Sequence, residues 1–391
     1  MPHPAPIVYL TRLHPPVYRV AVLETLNERL EGRLVVCSGD PRHGSSLRSI
    51  VQQQGAYSHH TLPTYWLGDK VHAHAWPQAF RRFGRPSVVL AEEAVRSVTW
   101  PLLVYYCRLR GIPLVSWGHF SSNNRLFDPR QNRADRVRLH MAKQATACLG
   151  YTEGVTALLR PYLAHERLFT ATNTLDVGRL LELHTQLRQS SKADLRSRLG
   201  LRDAPTLVFM GRLIGSKGVA MLLDVYAALQ ATHASAQLLV IGDGPEKAAM
   251  MARVEREAWT GVRFTGALTA WEASAPYLAA SDVLVIPGYL GLAINHGFAF
   301  GLPVVSQASP GPMRYHSPEI EYVVPGQNGE LTPHGDVAAM TDGIRAVLQD
   351  QDRYSAAALR YARTHLTMDR MVDGLYNALT YAEHASSSDR N

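Results

Sequence analysis

The sequence has few cysteines and no long apolar run. Its three cysteines, Cys37, Cys107 and Cys148, lie far apart, and none has the CxxC or Cys/His spacing of a metal site. No segment reaches the ~18 uninterrupted apolar residues that a membrane span needs, and the first residues lack the regions of a signal peptide. We therefore expect reduced thiols, no bound metal and a cytoplasmic protein that is neither secreted nor transmembrane.

Common nucleotide-binding motifs are also missing. The glycine turn "VIGDGPE" has neither the Gly-Lys-Ser/Thr end of a Walker loop nor the GxGxxG spacing of a dinucleotide site. Basic and aromatic residues do not alternate along strands in the way that suits base stacking. ATPase, NAD-dependent and nucleic-acid-binding functions are therefore disfavoured.

Positive charge is concentrated in the N-terminal half of the 391 residues. Residues 1–175 contain 21 Lys and Arg against 11 Asp and Glu, whereas the remainder contains 19 against 22. Such a basic half suits nucleic acid, a phosphate-bearing substrate or an anionic lipid surface. A solvated arginine-rich surface is the alternative interpretation.

Strand-like and helix-like segments alternate along most of the chain. "PIVYLTRL", "GRLVVCSG" and "IPLVSWGHF" are typical of strands in the first half, and "TLVFMGRL", "AQLLVIGDGPE" and "ASDVLVIPG" in the second. The alternation predicts an α/β fold with parallel sheets in two consecutive Rossmann-like units. We expect domains at residues 1–182 and 183–352, followed by C-terminal helices and a loose tail at residues 353–391.

Two cations follow the first strand of the second series. In "VFMGRLIGSKG" the strand ends at Gly211, and Arg212 and Lys217 precede a helical segment. Ligands of open α/β sheets bind beyond the carboxyl ends of the strands, so these cations are placed to meet a diphosphate. An ordinary surface loop is the alternative.

The stretch "VIPGYLGLAINHGFAFGLPVVS" predicts a strand, a glycine-rich turn, a short helix and another strand. Gly288, Gly291 and Gly301 punctuate the helix, which we expect from about Leu292 to Phe300. Backbone N–H groups around Gly291 to Ala293 are expected to face an anion or sugar hydroxyls. An ordinary βαβ turn would have the same pattern.

The order of these pieces resembles the C-terminal domain of family 4 glycosyltransferases. "GRLIGSKG", "VIGDGPE", "VRFTGAL", "ASDVLVIPG", "GLPVVS" and "HSPEIEYVVPGQNGEL" follow one another at similar spacing, and the first half is similar more loosely. The resemblance implies the GT-B fold, with two Rossmann-like domains facing across a cleft. It also implies a nucleotide-sugar donor on the second domain, an acceptor on the first, and retention of configuration without a metal or other cofactor. The final helices would cross back onto the N-terminal domain.

The resemblance also implies roles for particular residues. Arg212 and Lys217 would hold the donor diphosphate, His119 would approach the transferred sugar, and the loop from Phe264 to Gly266 would face the base. The alternative for His119 is that it is only a capped or solvated residue, because it follows a strand end. The donor-binding residues implied are Gly211, Arg212, Lys217, Gly242, Phe264, Thr265, Gly266, Gly288, Gly291, Leu292, Ala293, Asn295 and His296.

The chain departs from the family pattern at two positions. The family usually has two glutamates separated by seven residues, and Gly288 and His296 stand in their places. The chain resembles a subgroup with Asn-His at this site, in which we expect His296 to contact the ribose and N–H groups of Gly288 to Gly291 to replace the first carboxylate. Glutamate at Gly288 would then change the preferred sugar, provided that the loop has room. Loss of activity is the alternative interpretation.

An aromatic and cationic segment suggests contact with a membrane. In "HAWPQAFRRFGRP", Trp76, Phe80 and Phe83 have helical spacing, with Arg81, Arg82 and Arg85 beside them. This composition suits an interfacial helix, and a core-facing aromatic stripe with solvated arginines is the alternative.

The resemblance and the patterns together imply a retaining glycosyltransferase of the hexosyltransferase type. Its partners would be a nucleotide-sugar donor, a glycan or lipid-linked acceptor and an anionic membrane surface at the inner face of the plasma membrane, but no nucleic acid. A bacterial surface polysaccharide is the expected product. The alternatives are a sugar-nucleotide epimerase of the same fold, which would need carboxylates at the site, and a non-catalytic nucleotide-sugar-binding protein.

Overall fold

The computed structural model describes residues 4–39, 55–68, 71–311 and 315–388. The chain divides into two units, the first comprising Met1–Ser122, Leu126–Leu175 and Met368–Asn391 and the second comprising Asn123–Arg125 and Asp176–Thr367. The boundaries therefore differ from the expected divisions after residues 182 and 352.

The first unit alternates strands and helices. Its strands are β1 (Ile7–Thr11), β2 (Leu34–Gly39), β3 (Ser58–Leu62), β4 (Thr64–Leu67), β5 (Val71–His74), β6 (Val88–Glu92), β7 (Leu114–Gly118), β8 (Ala147–Gly150) and β9 (Leu168–Thr170). Its first helices are α1 (Val20–Arg29), α2 (Pro77–Phe83), α3 (Thr99–Leu109), α4 (Arg133–Gln144) and α5 (Glu153–Ala157). Short 3-10 turns lie at Val17–Arg19 and His165–Arg167.

Seven of these strands form one parallel sheet in the order β3-β2-β1-β6-β7-β8-β9. Strand β1 is buried on both faces because its side chains alternate between two cores. Val8 and Leu10 pack with α2, α3 and α4, whereas Ile7 and Tyr9 pack with α1 and the last helix of the chain. Strands β4 and β5 form a separate antiparallel pair, which the sequence patterns did not predict.

The second unit is a second alternating series. Its strands are β10 (Thr206–Met210), β11 (Gln237–Ile241), β12 (Val262–Gly266), β13 (Val283–Ile286), β14 (Val304–Gln307) and β15 (Gly329–Thr332). Its helices are α6 (Val177–Leu187), α7 (Lys192–Arg198), α8 (Val219–Gln230), α9 (Lys247–Arg256), α10 (Trp271–Ala279), α11 (Ala293–Ala299), α12 (Val337–Gln349) and α13 (Gln351–His365). The 3-10 turns here are Gly215–Lys217 and Pro318–Tyr322.

The six strands of the second unit form a parallel sheet in the order β12-β11-β10-β13-β14-β15. The prediction of two Rossmann-like units is therefore confirmed. Helix α6 packs on α10 and α11, and α13 packs on α11, which explains why both helices belong to this unit.

The last helix, α14 (Met368–Ser388), belongs to the first unit. It packs on α1 and on β8 and β9, and it contributes Val372, Leu375 and Leu379 to the core. Gly374 permits the close approach, because a Cβ at this position would lie 2.1 Å from the carbonyl oxygen of Thr170. Of the expected C-terminal helices, α14 alone packs on the first unit.

The aromatic residues of α2 do not form an interfacial face. Trp76, Phe80 and Phe83 are half-buried and pack against the first unit's core, and the rings of Trp76 and Tyr106 lie 4.8 Å apart. The alternative interpretation of this segment, an aromatic stripe that faces the core, is therefore the one that the structure supports.

Two further observations concern the cysteines and the helices. Cys37, Cys107 and Cys148 are buried and form no disulfide, and burial raises the pKa of each thiol to about 12. In the part of the chain that the structure describes, no helix combines the length and the apolar composition of a membrane span.

Candidate functional site

The strand order of the second unit reverses direction between β10 and β13, which makes this position the topological switch point of the sheet. From β10 the chain moves to β11 and β12 on one side, and it then returns to place β13 on the other side. The connections after β10 and β13 therefore leave the same sheet edge side by side, which is where open α/β sheets bind ligands. Arg212 and Lys217 follow β10, and the stretch from Gly288 to His296 follows β13.

Backbone hydrogen bonds join the glycine turns along this edge. The Gly211 N–H donates to the Ile241 carbonyl (3.0 Å), and the Gly242 N–H donates to the Gly266 carbonyl (2.9 Å). Gly242 has a φ of +155°, and a Cβ there would lie 1.9 Å from the Gly211 oxygen. Glycine at this position is therefore required for the turns to approach each other.

Two further backbone hydrogen bonds join the β10 and β13 connections. The Gly288 N–H donates to the Lys217 carbonyl (2.9 Å), and the Tyr289 N–H donates to the Ser216 carbonyl (2.7 Å). The Lys217 ammonium donates in turn to the Tyr289 carbonyl (2.7 Å) and lies 5.2 Å from the centre of the Tyr289 ring. These contacts fix the lysine against the β13 connection.

The electrostatic environment of Lys217 favours an added anion. Burial and the nearby Arg212 cation lower the pKa of Lys217 to about 8, although Glu319 opposes the shift. Arg212 itself is exposed. A polyanion beside these two cations would relieve their repulsion and replace the water that Lys217 has lost.

Gly288 has no room for a side chain. A Cβ would lie 2.3 Å from the carbonyl carbon of Lys217 and 2.3 Å from the carbonyl oxygen of Ser216, which are both backbone atoms. The condition attached to the Gly288→Glu expectation, room in the loop, is therefore not met, and that expectation no longer applies. Gly288 is sterically necessary for the close packing of the two connections.

The expected use of N–H groups from Gly288 to Gly291 also needs correction. The first two N–H groups donate to the β10 connection, and the Leu290 N–H donates to Nδ1 of His316 (3.1 Å). These three groups are therefore engaged within the protein. Gly291, Leu292 and Ala293 follow them, and all three are half-buried.

Helix α11 carries two buried polar residues of the candidate site. Asn295 is fully buried, and His296 is 9% exposed with its ring against Trp271, at 6.0 Å between centroids. Burial lowers the pKa of His296 to about 4, so its imidazole is neutral at physiological pH. Among the described residues, Nδ1 of this ring has no hydrogen-bond partner, although it is buried.

Two residues of the site were not found by sequence reasoning. His316 is fully buried; its Nδ1 accepts from Leu290, and its Nε2 donates to the Gln307 carbonyl (2.8 Å), so it joins the β13 connection to β14. Glu319 is also buried, accepts a hydrogen bond from the Ser317 hydroxyl, and acts electrostatically on Lys217 and Tyr289. The segment "HSPEIEY" contains both, but no spacing rule links them to residues more than 20 positions earlier.

The residues expected near the base lie at the same sheet edge. Phe264, Thr265 and Gly266 end β12 and are half-buried. The Thr265 hydroxyl donates to the Gly266 carbonyl (3.0 Å), and that carbonyl also accepts from Gly242. Thr265 therefore orders this strand end.

His119 lies in the first unit and follows β7. Its ring is half-buried and lies 4.6 Å from the Tyr151 ring, which in turn lies 5.0 Å from Trp117. Gly118 next to it approaches Glu93 closely, since a Cβ there would lie 2.3 Å from the glutamate Cβ. The histidine is thus placed at a strand end by close aromatic packing, while the other candidate residues belong to the second unit. Within the described ranges, no group of three or more His, Cys, Asp or Glu residues is arranged to hold a metal ion.

A pair of glycine variants tests the packing at Gly288. Gly288→Ala should lower the free energy of unfolding by about 1–3 kcal/mol, because the added methyl overlaps backbone atoms that cannot move independently. Gly291→Ala is the matched control, since its Cβ would meet side-chain atoms at 3.9 Å, an ordinary contact. Urea unfolding measures both, and equal stability of the two variants would contradict the assigned role of Gly288.

Part of the chain matches a known protein family. Residues 204–350 match the family described as glycosyl transferases group 1. The lipopolysaccharide core biosynthesis glycosyltransferase LpsE of Rhizobium meliloti is 31% identical over 163 residues, which cover 40% of this chain and 44% of that protein. A GDP-mannose-dependent phosphatidylinositol monomannoside mannosyltransferase of Mycolicibacterium smegmatis is 31% identical over 191 residues, 46% of this chain and 47% of that protein. The chain thus spans about half the length of the curated relatives that it matches.

Solved structures share the fold of nearly the whole chain. Anabaena HepE in complex with UDP superposes with a TM-score of 0.68 at 17% identity and covers 96% of this chain and 99% of its own. The lipopolysaccharide outer core galactosyltransferase WaaB has a TM-score of 0.66 at 13% identity, with the same coverage of 96% and 99%. The chain therefore has the two-sheet GT-B fold, and residues 204–350 match the family of glycosyl transferases group 1.

Proposed function

We propose that this protein is a retaining glycosyltransferase that moves a sugar from a nucleoside diphosphate sugar to a glycan or lipid-linked acceptor. We assign it to family 4 and to the subgroup with Asn-His in place of the second glutamate. The observation that carries the proposal is Lys217, a partly desolvated cation fixed between the β10 and β13 connections and accompanied by Arg212.

The diphosphate is the part of the donor that these cations suit. Lys217 and Arg212 supply positive charge at the sheet edge where α/β folds bind nucleotides. As the sugar leaves, charge develops on the diphosphate, and preorganised cations stabilise that charge more than the ground state. Because the two side chains provide this neutralisation, we propose that transfer needs no metal or other cofactor.

The chemical step that we propose uses no protein nucleophile. The bond from the anomeric carbon to the diphosphate oxygen breaks, the acceptor oxygen bonds to the same face of that carbon, and the acceptor proton passes to the leaving phosphate oxygen. The protein's part is to fix this geometry and to exclude water. His119 in the first unit is the residue that we propose contacts the transferred sugar.

His296 is the residue that we propose contacts the donor ribose. Its imidazole is neutral, and its buried Nδ1 has no hydrogen-bond partner among the described residues. A buried polar atom in this state is costly unless a ligand completes the hydrogen bond. A ribose hydroxyl is a suitable donor to such a nitrogen. The remaining donor contacts fall to the strand end at Phe264–Gly266 and to the half-buried residues that begin α11.

The acceptor that we propose is part of a bacterial surface glycan. The two relatives described above act, by their names, in lipopolysaccharide core biosynthesis and on a phosphatidylinositol mannoside. The basic first half of this chain suits a phosphate-bearing or lipid-linked acceptor. We therefore propose a cytoplasmic enzyme that works at the inner face of the plasma membrane.

Turnover with a panel of donors tests the proposed reaction. The protein should release UDP or GDP from one of the UDP- or GDP-sugars when a lipid-linked oligosaccharide extract is present, with EDTA having no effect. NMR of the product should show the anomeric configuration of the donor.

Lys217→Ala and Arg212→Ala should each reduce turnover at least about tenfold, because each removes a charged hydrogen bond of about 1.5–3 kcal/mol. Binding of a donor without any transfer would support the non-catalytic alternative.

The lowered pKa of Lys217 predicts a pH-dependent affinity. A nucleoside diphosphate binds the protonated lysine, so its dissociation constant should rise as the pH increases through about 8, where free Lys217 loses its proton. Phosphate ionisation does not contribute, because the second pKa of a phosphate lies near 6. Calorimetric titration with UDP and GDP between neutral and alkaline pH measures the trend. Lys217→Ala should bind weakly and without this dependence, and an unchanged pH profile in that variant would contradict the assignment.

A pair of buried histidines tests the ribose contact. His296→Ala should raise the donor KM more than it lowers kcat, because a ribose contact is equally present in the ground state and the transition state. His184→Ala is the matched control: His184 is also 9% exposed, its pKa is also lowered to about 4, and its ring packs on Phe300 instead. Equal changes of KM in both variants would assign His296 to packing alone.

A further inference from the structure

Helix α3 in the first unit exposes an apolar stripe. Val98 precedes the helix, and Leu102, Tyr105 and Leu109 follow at helical spacing, so all four lie on one side. They are 44%, 56%, 41% and 84% exposed, respectively. The opposite side of α3 is already occupied, because Trp100, Leu103, Val104 and Cys107 are buried in the core. The stripe is therefore apolar surface beyond what folding of this unit uses.

Helices α2 and α4 lie on either side of this stripe. Helix α2 packs on α3 through Trp76 and Tyr106, and Arg85 after α2 donates to the carbonyl of Arg110 (2.8 Å). Helix α4 packs on α3 as well, and Tyr105 and His140 are joined by a hydrogen bond of 2.6 Å. The outward sides of the three helices thus form one surface, which we call the α2–α3–α4 surface.

The rim of the α2–α3–α4 surface is cationic. Its exposed basic residues are Arg81, Arg82, Arg85, Arg108, Arg110, Arg133, Arg136 and Lys143. Asp135 is the one acidic residue within the three helices, and it is fully buried in an ion pair with Arg138 at 2.9 Å. An apolar centre is therefore flanked by positive charge that no exposed carboxylate of these helices neutralises.

We propose that the α2–α3–α4 surface docks this unit on an anionic lipid bilayer. Leu102 and Leu109 enter the interface between headgroups and acyl chains, and the flanking cations meet the lipid phosphates. A second copy of the chain fits less well, because pairing this surface with itself would bring like charges together. This inference rests on the proposed function and specifies how the protein would associate with the membrane. The proposed contact lies on α3 instead of the aromatic side of α2.

Vesicle binding tests the apolar and the cationic parts separately. The full chain should co-sediment with vesicles of phosphatidylcholine and phosphatidylglycerol, bind much less to phosphatidylcholine alone, and dissociate as salt rises. The double variant Leu102→Ser with Leu109→Ser should lower the partition coefficient more than about tenfold, because it removes the inserted side chains. Both residues are exposed, so unchanged melting temperatures should accompany the loss.

A triple variant tests the cations. Arg108, Arg133 and Lys143 have exposed side chains without a hydrogen bond or ion pair to any residue that the structure describes. Arg85 and Arg136 donate to backbone carbonyls and are left unchanged. The change of all three to Ser should weaken binding to the anionic vesicles more than about tenfold. Val17→Ser and Met251→Ser are controls, since these residues are 52% and 48% exposed but lie outside the surface.

The outcomes separate this inference from the proposed function. All variants should keep wild-type affinity for UDP or GDP, which bind the second unit. Three results would overturn the inference. The first is equal binding to neutral and anionic vesicles, and the second is binding that neither set of variants changes. The third is a concentration-dependent dimer that the double variant Leu102→Ser with Leu109→Ser abolishes. Vesicle binding that behaves as expected in a protein without transfer activity would contradict the proposed function alone.

Discussion

The close approach of two backbone segments at the β10/β13 switch is the constraint on which the candidate site depends. The Gly288 N–H donates to the Lys217 carbonyl and the Tyr289 N–H donates to the Ser216 carbonyl, so hydrogen bonds fix the two connections to each other. The contact exists because Gly288 has no side chain. It also places the Lys217 ammonium on the Tyr289 carbonyl, which fixes a cation where strand topology favours a nucleotide.

Gly288 and His296 stand where the resembled family has two glutamates, and the structure gives a physical reason for each replacement. A glutamate at Gly288 would occupy the space of the Lys217 backbone, so the loop has a conformation in which that residue cannot contribute a side chain. His316 and Glu319 support the same loop from the segment before β15. His296 offers a neutral ring where the second glutamate would be charged. Among the carboxylates that the structure describes, Glu319 is the one that favours the charged form of Lys217.

Much of the fold and part of the site could be predicted from the sequence. The β-branched strands and the order of glycine turns predicted both parallel sheets, because buried parallel strands are near-continuous apolar runs. Lys217 and His296 could be proposed as site residues because strand ends and motif spacing are local features. The engaged N–H groups from Gly288 to Leu290 and the role of His316 could not be found in this way, since they depend on contacts between distant segments. Amphipathic spacing misassigned α2 for a related reason: periodicity identifies an apolar side but does not tell whether a neighbouring helix covers it.

A crystal structure of the protein with the nucleoside diphosphate that stabilises it most tests the central claim most directly. The account predicts that the diphosphate lies within hydrogen-bonding distance of Lys217 Nζ, with Arg212 turned towards it and the ribose facing His296. The backbone hydrogen bonds from Gly288 to Lys217 and from Tyr289 to Ser216 should persist in that structure. A diphosphate bound elsewhere on the second unit, with the Lys217 ammonium still on the Tyr289 carbonyl and no phosphate near it, would contradict the account.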